Sequence, residues 1–226
     1  MATPDLAVLS EDMRLTVKTA AAKLMVAVVS GRATDDVRGK VAIDGIFYAG
    51  SHGFEIVDPQ GQVTINPQAQ KIRSVIDEAH KRLSDRLKGV KGALVEHVKY
   101  TISSHYRLVS AQDFLKVKEA VDQILKEYPQ LRKTDGKKVF EIRPRIDWDK
   151  GKAVEWILRF LKSDSQKDIP VYIGDDTTDE DAFRLLEGRG LGILVAGEAK
   201  KSFAAYTIAD TPAVKRVLEF FVEAAV

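Results

Sequence analysis

The 226-residue chain contains no cysteine, which excludes disulfides, thiolate metal sites and a cysteine nucleophile. It has little net charge: 35 basic residues against 33 acidic ones leave +2. It therefore lacks the one-sided basic surface that argues for nucleic-acid binding. Long apolar runs are also missing, and the stretch around Leu24 to Val29 is far too short to span a bilayer. The opening Met-Ala-Thr-Pro-Asp has neither the basic nor the apolar region of a leader peptide. The expectation is a cytoplasmic protein with no nucleic-acid or membrane partner. At 45% hydrophobic and 30% charged residues, the chain is an ordinary globular protein that can bury a proper core.

What is present is concentrated in Val171 to Phe183, V-Y-I-G-D-D-T-T-D-E-D-A-F. An apolar strand runs into a glycine, and Asp175, Asp176, Asp179, Glu180 and Asp181 crowd the turn before a helix begins. Like charges this close repel, so the cluster needs a divalent cation or full solvation. A solvated, helix-capping loop accounts for the same residues. The placement at the carboxyl end of a strand is where ligands gather in open α/β sheets.

Periodicity predicts a helix from Ser10 through Leu24, feeding a buried strand at Met25 to Val29. Short strands follow at Ile46 to Ala49 and Phe54 to Val57, then a hairpin turn at Asp58 to Gln62 leading into Val63 to Ile65. A long amphipathic helix covers Gln68 to Lys88, strands cover Ala93 to Val98 and Tyr100 to Leu108, and Ser110 caps a helix reaching Tyr128. After a strand at Lys138 to Ile142, parallel α/β style returns. A helix covers Lys150 to Leu161, the Val171 strand follows, then a helix from Glu180, a strand at Leu191 to Val195, an edge strand at Tyr206 to Ile208 and a helix from Pro212. The fold class is α/β, with a doubly wound core from 1–65 and 145–226 and an inserted α/β module from 66–144.

Three further polar groups sit at element ends: Ser30-Gly31-Arg32, Ser51-His52-Gly53 and Lys150-Gly151-Lys152. A hydroxyl, a lysine and paired carboxylates suit phosphoryl transfer, where Mg²⁺ and cations offset phosphate charge. Taken singly, each also suits a turn former or a surface charge. No residue of the set is an evident nucleophile.

The segments Val28-Val29-Ser30-Gly31-Arg32, Tyr48-Ala49-Gly50-Ser51-His52-Gly53-Phe54, Glu141-Ile142-Arg143-Pro144, Trp148 to Ala153 and Gly174 to Phe183 resemble, in order, the trehalose-6-phosphate phosphatases of the haloacid dehalogenase superfamily. The resemblance implies a haloacid dehalogenase-like core with the module as a substrate-recognising cap, and Mg²⁺-dependent hydrolysis of trehalose 6-phosphate through an aspartyl-phosphate. It assigns Ser30 to the phosphoryl group, Lys150 to steadying the same charge, and Asp175 to Mg²⁺, with Asp176 and Asp179 completing the metal's surroundings. Arg32 and His52 of the core, and Glu96, Lys99, His105, Arg107, Glu141 and Arg143 of the cap, would recognise the sugar phosphate. A solvated sheet face shows the same kinds of residue. The alternatives are a phosphatase for sucrose or mannosylglycerate phosphate and a non-catalytic module that binds trehalose 6-phosphate.

The family's Asp-x-Asp-Gly-Thr, which carries the nucleophile and the general acid/base, does not occur in this sequence. Neither Asp5 nor Asp12 follows an apolar strand or precedes Gly-Thr, so neither takes the role. Met1 to Ser10 matches the region after that motif, which implies a first core strand missing between the strands ending at Ser30 and Gly174. The chain by itself is then expected to be inactive, marginally stable and a weak Mg²⁺ binder, and the full-length protein a monomer.

Overall fold

The structure, a computed structural model, describes residues 8–225; the opening segment with Asp5 lies outside them. In chain order the elements are α1 (Glu11–Ala21), β1 (Ala27–Val29), α2 (Thr34–Val41), β2 (Phe47–Gly50), β3 (Glu55–Val57), β4 (Val63–Ile65), α3 (Pro67–Leu87), β5 (Leu94–Val98), β6 (Thr101–His105) and α4 (Phe114–Glu127). There follow β7 (Leu131–Gly136), β8 (Val139–Pro144), α5 (Lys150–Phe160), β9 (Val171–Gly174), α6 (Glu180–Leu186), β10 (Leu191–Val195), β11 (Tyr206–Ile208) and α7 (Thr211–Ala224). Two compact units divide between Thr64 and Ile65 and again between Asp147 and Trp148.

The discontinuous unit is built around β2, which is buried along its whole length. Its alternation sends Tyr48, with Val57 of β3, toward Val37, Ile43 and the α1 side chain Val17. Phe47 and Ala49, with Ile56, pack instead on Ile157 of α5. Helices thus cover both faces, the condition under which a strand can be apolar on both sides. The strand order is β1-β2-β3-β4, with β1 parallel and β3 antiparallel to β2. A second sheet has the order β11-β10-β9, all parallel. Among the described residues, β1 and β9 are both terminal strands, each laddered to one neighbour only. Each leaves one row of backbone donors and acceptors outside a ladder, the usual weak point of an open sheet.

The continuous unit is a four-stranded antiparallel sheet, β5-β6-β8-β7. Its α3 and α4 bury Ile76, Leu83, Val121 and Ile124 on Ile102, Leu131, Phe140 and Ile142. Pairing Ser103 with Glu141, and Glu141 with Thr134, puts Glu96, Ser103, His105, Thr134, Glu141 and Arg143 on the opposite face.

Two elements escaped the periodicity. The α2 sequence, T-D-D-V-R-G-K-V, offers only Val37 and Val41 as apolar signals and has a glycine inside it. The β7 sequence, L-R-K-T-D-G, has one apolar residue, because an edge strand with a polar face needs few. The α4 start also differs from the expectation. Asp113 occupies its cap position, and Ser110 Oγ accepts the Asp113 amide at 3.1 Å in a separate turn just before it.

Candidate active site

The turn after β9 explains how its carboxylates coexist. Asp179 points inward and is only 4% exposed. Its Oδ1 accepts Lys150 Nζ at 2.6 Å and the Tyr172 hydroxyl at 2.7 Å. Its Oδ2 accepts the amides of Asp175 at 3.0 Å and Asp176 at 2.9 Å. Four donors fill the lone pairs of both oxygens. The Asp179 carboxylate thus organises the turn and holds Lys150. Glu180 accepts the Phe203 amide at 2.8 Å, and Asp181 lies 3.6 Å from Arg184. Asp176 takes the Thr177 amide at 2.6 Å. Asp175 is exposed, and its carboxylate accepts no hydrogen bond among the described residues; its carbonyl takes Lys200 Nζ at 2.8 Å.

Burial pushes the Asp179 carboxyl up, but the Lys150 charge and hydrogen bond, the Asp176 amide and the Tyr172 hydroxyl outweigh it and hold the group below the usual carboxylate range. Tyr172 is driven strongly up, first by burial and then by the neighbouring Asp179 charge. Its phenol is therefore held in the protonated form that donates to Asp179. Sequence reading counted Tyr172 only as an apolar strand residue. The available signal was that a tyrosine hydroxyl buried beside an acidic turn needs an acceptor.

Gly174 is required by this packing. A Cβ there would stand 2.4 Å from the Asp179 carboxyl carbon. Gly174→Ala is expected to displace Asp179 from its donors and cost about 1–3 kcal/mol, measured as a drop in urea midpoint.

A second cluster forms at the end of β1. The Ser30 amide bonds Ala49 O at 2.9 Å, the His52 amide bonds Ser30 O at 2.8 Å, and the Ser51 amide bonds Arg32 O at 2.7 Å. These bonds zip the Ser30 loop to the turn at 51–53, where Ser51, His52 and Gly53 adopt φ values of 49°, 59° and 89°. Left-handed backbone at two residues that carry a Cβ costs about 1–3 kcal/mol each, a pattern concentrated at ligand sites. His52 is buried with its ring packed against Gly31. Ser30 Oγ accepts the Arg32 amide at 3.2 Å, and Arg32 Nη1 lies 2.7 Å from Asp36 of α2. The turn rests on α5, where a Cβ on Gly53 would come within 2.2 Å of Ala153 Cβ. The α5 helix starts at Lys150, with Asp149 Oδ1 capping the Lys152 amide at 2.8 Å.

In the continuous unit, His105 Nε2 lies 2.5 Å from Glu96 Oε2, and Arg143 pairs with Glu141. The other two expected residues leave the strands. Lys99 sits in the β5–β6 turn at φ 45°, and Arg107, beyond β6, donates to Lys137 O at 3.2 Å.

The sequence profile of the family described as "Trehalose-phosphatase" matches residues 1–212. The chain belongs to the trehalose-phosphatase family. Among related members of that family, the probable trehalose-phosphate phosphatase D of Arabidopsis thaliana is 43% identical over 231 residues, covering 97% of this chain and 63% of that protein. Trehalose 6-phosphate phosphatase RA3 of Zea mays is 41% identical over 230 residues, covering 95% of this chain and 64% of that protein. The chain thus spans a little under two thirds of the length of these relatives. A crystal structure of a trehalose-6-phosphate phosphatase related protein superimposes with a TM-score of 0.85 at 19% identity, over 99% of this chain and 92% of that one. A haloacid dehalogenase-like hydrolase of Bacteroides thetaiotaomicron gives 0.68 at 12% identity, over 94% and 92%. These two likenesses establish the fold of this trehalose-phosphatase family member, a haloacid dehalogenase-like α/β fold.

Proposed function

We propose that this chain provides the phosphate-handling and sugar-recognising parts of a phosphatase that hydrolyses trehalose 6-phosphate to trehalose and phosphate. The observation that carries the reading is the buried Lys150–Asp179 pair, which fixes an ammonium and an acidic turn at the strand ends in a trehalose-phosphatase family chain. Lys150 gives one of its three donors to Asp179, and two remain for phosphoryl oxygens. The Ser30 hydroxyl proton is available for a third phosphoryl contact, and Arg32 and His52 lie on the loops zipped to Ser30.

The donor set suits Mg²⁺. Asp175 offers an exposed carboxylate with no hydrogen-bond partner among the described residues, and Asp176 stands beside it as a hydrogen-bonding partner for metal-bound water. Mg²⁺ takes one or two carboxylates and keeps several waters, so this pair is enough protein for it. When bound, the ion would offset phosphoryl charge.

The polar sheet face with Glu96, His105, Glu141 and Arg143, flanked by Lys99 and Arg107, serves the sugar. Carboxylates there accept from hydroxyls, and the cations donate. No helix among the described residues is long and apolar enough to cross a membrane, and a cytoplasmic monomer fits the reading.

Hydrolysis through an aspartyl-phosphate also requires an attacking carboxylate, and the sequence contains no Asp-x-Asp-Gly-Thr to supply it. Phosphate release is therefore expected to be absent for this chain and restored when an Asp-x-Asp-Gly-Thr strand is joined upstream. Malachite green assays with trehalose 6-phosphate test both. An inactive extended protein that still binds the ligand would replace the enzyme reading with a binding module. Preference for sucrose or mannosylglycerate phosphate would move the substrate.

A further inference from the structure

We infer that Arg132 and Thr134 of β7 are specificity-determining contacts for the sugar phosphate, an inference that rests on the substrate reading above. Register places Arg132 directly opposite Arg143, and Thr134 directly opposite Glu141, on the polar face of the sheet. Three atoms there are buried without any hydrogen-bond partner: Arg132 Nε, Thr134 Oγ1 and Arg143 Nε. Buried polar groups are nearly always satisfied, so three orphans on adjoining positions of one face point to a ligand that supplies acceptors.

The charge balance points the same way. Glu141 pairs with Arg143 and Glu96 with His105, so the two carboxylates of this face are already engaged. Arg132 forms no ion pair and no side-chain hydrogen bond among the described residues, although it is half-buried and stands opposite a second arginine. Like charges directly across a sheet destabilise it. The neighbouring Lys133 shows the contrast. It turns to the helix face and is matched by Asp122 at 3.7 Å and Asp135 at 3.9 Å. An oxygen-rich, phosphorylated sugar complements the uncompensated guanidinium: its hydroxyl and phosphoryl oxygens accept from Arg132 and Arg143, and Thr134 both donates and accepts.

Isothermal calorimetry on the whole chain tests this, with trehalose 6-phosphate, sucrose 6-phosphate and trehalose as separate titrants. Arg132→Gln should weaken trehalose 6-phosphate binding about 10- to 100-fold, the range for a lost hydrogen bond to a charged group. Arg132→Lys should recover part of the loss, and Thr134→Val should cost about 2- to 10-fold. Lys133→Gln, on the other face, should leave affinity unchanged. The melting temperature of Arg132→Gln should hold or rise, because an unpaired cation is removed. A structural role would instead lower it. A parallel loss for trehalose assigns Arg132 to hydroxyls, and a loss confined to the phosphorylated ligand assigns it to phosphate. Unchanged affinity in Arg132→Gln overturns the inference and leaves the function standing. A chain that binds only sucrose 6-phosphate, weakened by Arg132→Gln, overturns the substrate and keeps the inference. No binding of any sugar phosphate overturns both.

Discussion

Lys150→Met is expected to destabilise the discontinuous unit by about 3–5 kcal/mol, the cost of removing one partner from a buried ion pair. The side chains of Lys150 and Asp179 are 8% and 5% exposed and stand 2.6 Å apart. Without the ammonium, the carboxylate stays buried with only Tyr172 and two backbone amides as donors. Urea unfolding in metal-free buffer measures the loss, and its pH dependence identifies the cause. The folded-state value of Asp179 is depressed, so its contribution is fully present above the unfolded value of about 3.9 and disappears as pH falls through the folded value. The gap between wild type and Lys150→Met should be widest near neutrality and narrow below about pH 4, where a protonated Asp179 needs no counter-charge. A gap independent of pH would show that packing around the lysine stem, rather than the ion pair, is what is lost.

Gly53→Ala is expected to cost about 2–5 kcal/mol, combining the left-handed penalty with overpacking. Gly53 has φ 89°, and a Cβ there would stand 2.2 Å from Ala153 Cβ. The two contributions separate experimentally. Adding Ala153→Gly relieves the overlap but not the backbone penalty, so thermal melts of the double variant should recover part of the loss. Full recovery would mean that the turn at 51–53 is unstrained. Because the same turn donates the His52 amide to Ser30, the single variant should also loosen the Ser30 loop.

Much of this molecule was readable in its residue pattern. The strands at Val28 and Ile173 announce themselves as short apolar runs, and the long α3 helix and the polar strand face around Glu141 through period 3.6 and 2. The expectation that those two strands are buried fails, since β1 and β9 are only half-buried at the ends of their sheets and Met25 is exposed. The elements that stayed hidden are those whose stability comes from neighbours rather than from their own periodicity. The β7 strand is polar because it lies at an edge, and α2 is short, with Thr34 and Val37 its only buried residues. A cap at Ser110 is a reasonable local expectation, but the chain makes a turn there and begins the helix at Phe114, with Asp113 at the cap position but no side-chain capping bond from it.

The acidic turn shows most clearly where local reading stops. Its composition, its place after a strand and its family likeness were set by residue order alone. Which carboxylate faces inward was not, because Asp175, Asp176 and Asp179 are chemically alike and spacing along the chain does not say where a partner 29 positions away will stand. Only the packing of α5 brings Lys150 within 2.6 Å of Asp179. That contact, with Tyr172 from the preceding strand, buries and saturates Asp179, while Asp175 stays exposed. Residue order determined the family to which this chain belongs; tertiary structure decided which carboxylate is buried and which stays exposed, because burial and hydrogen-bond saturation depend on neighbours distant in sequence.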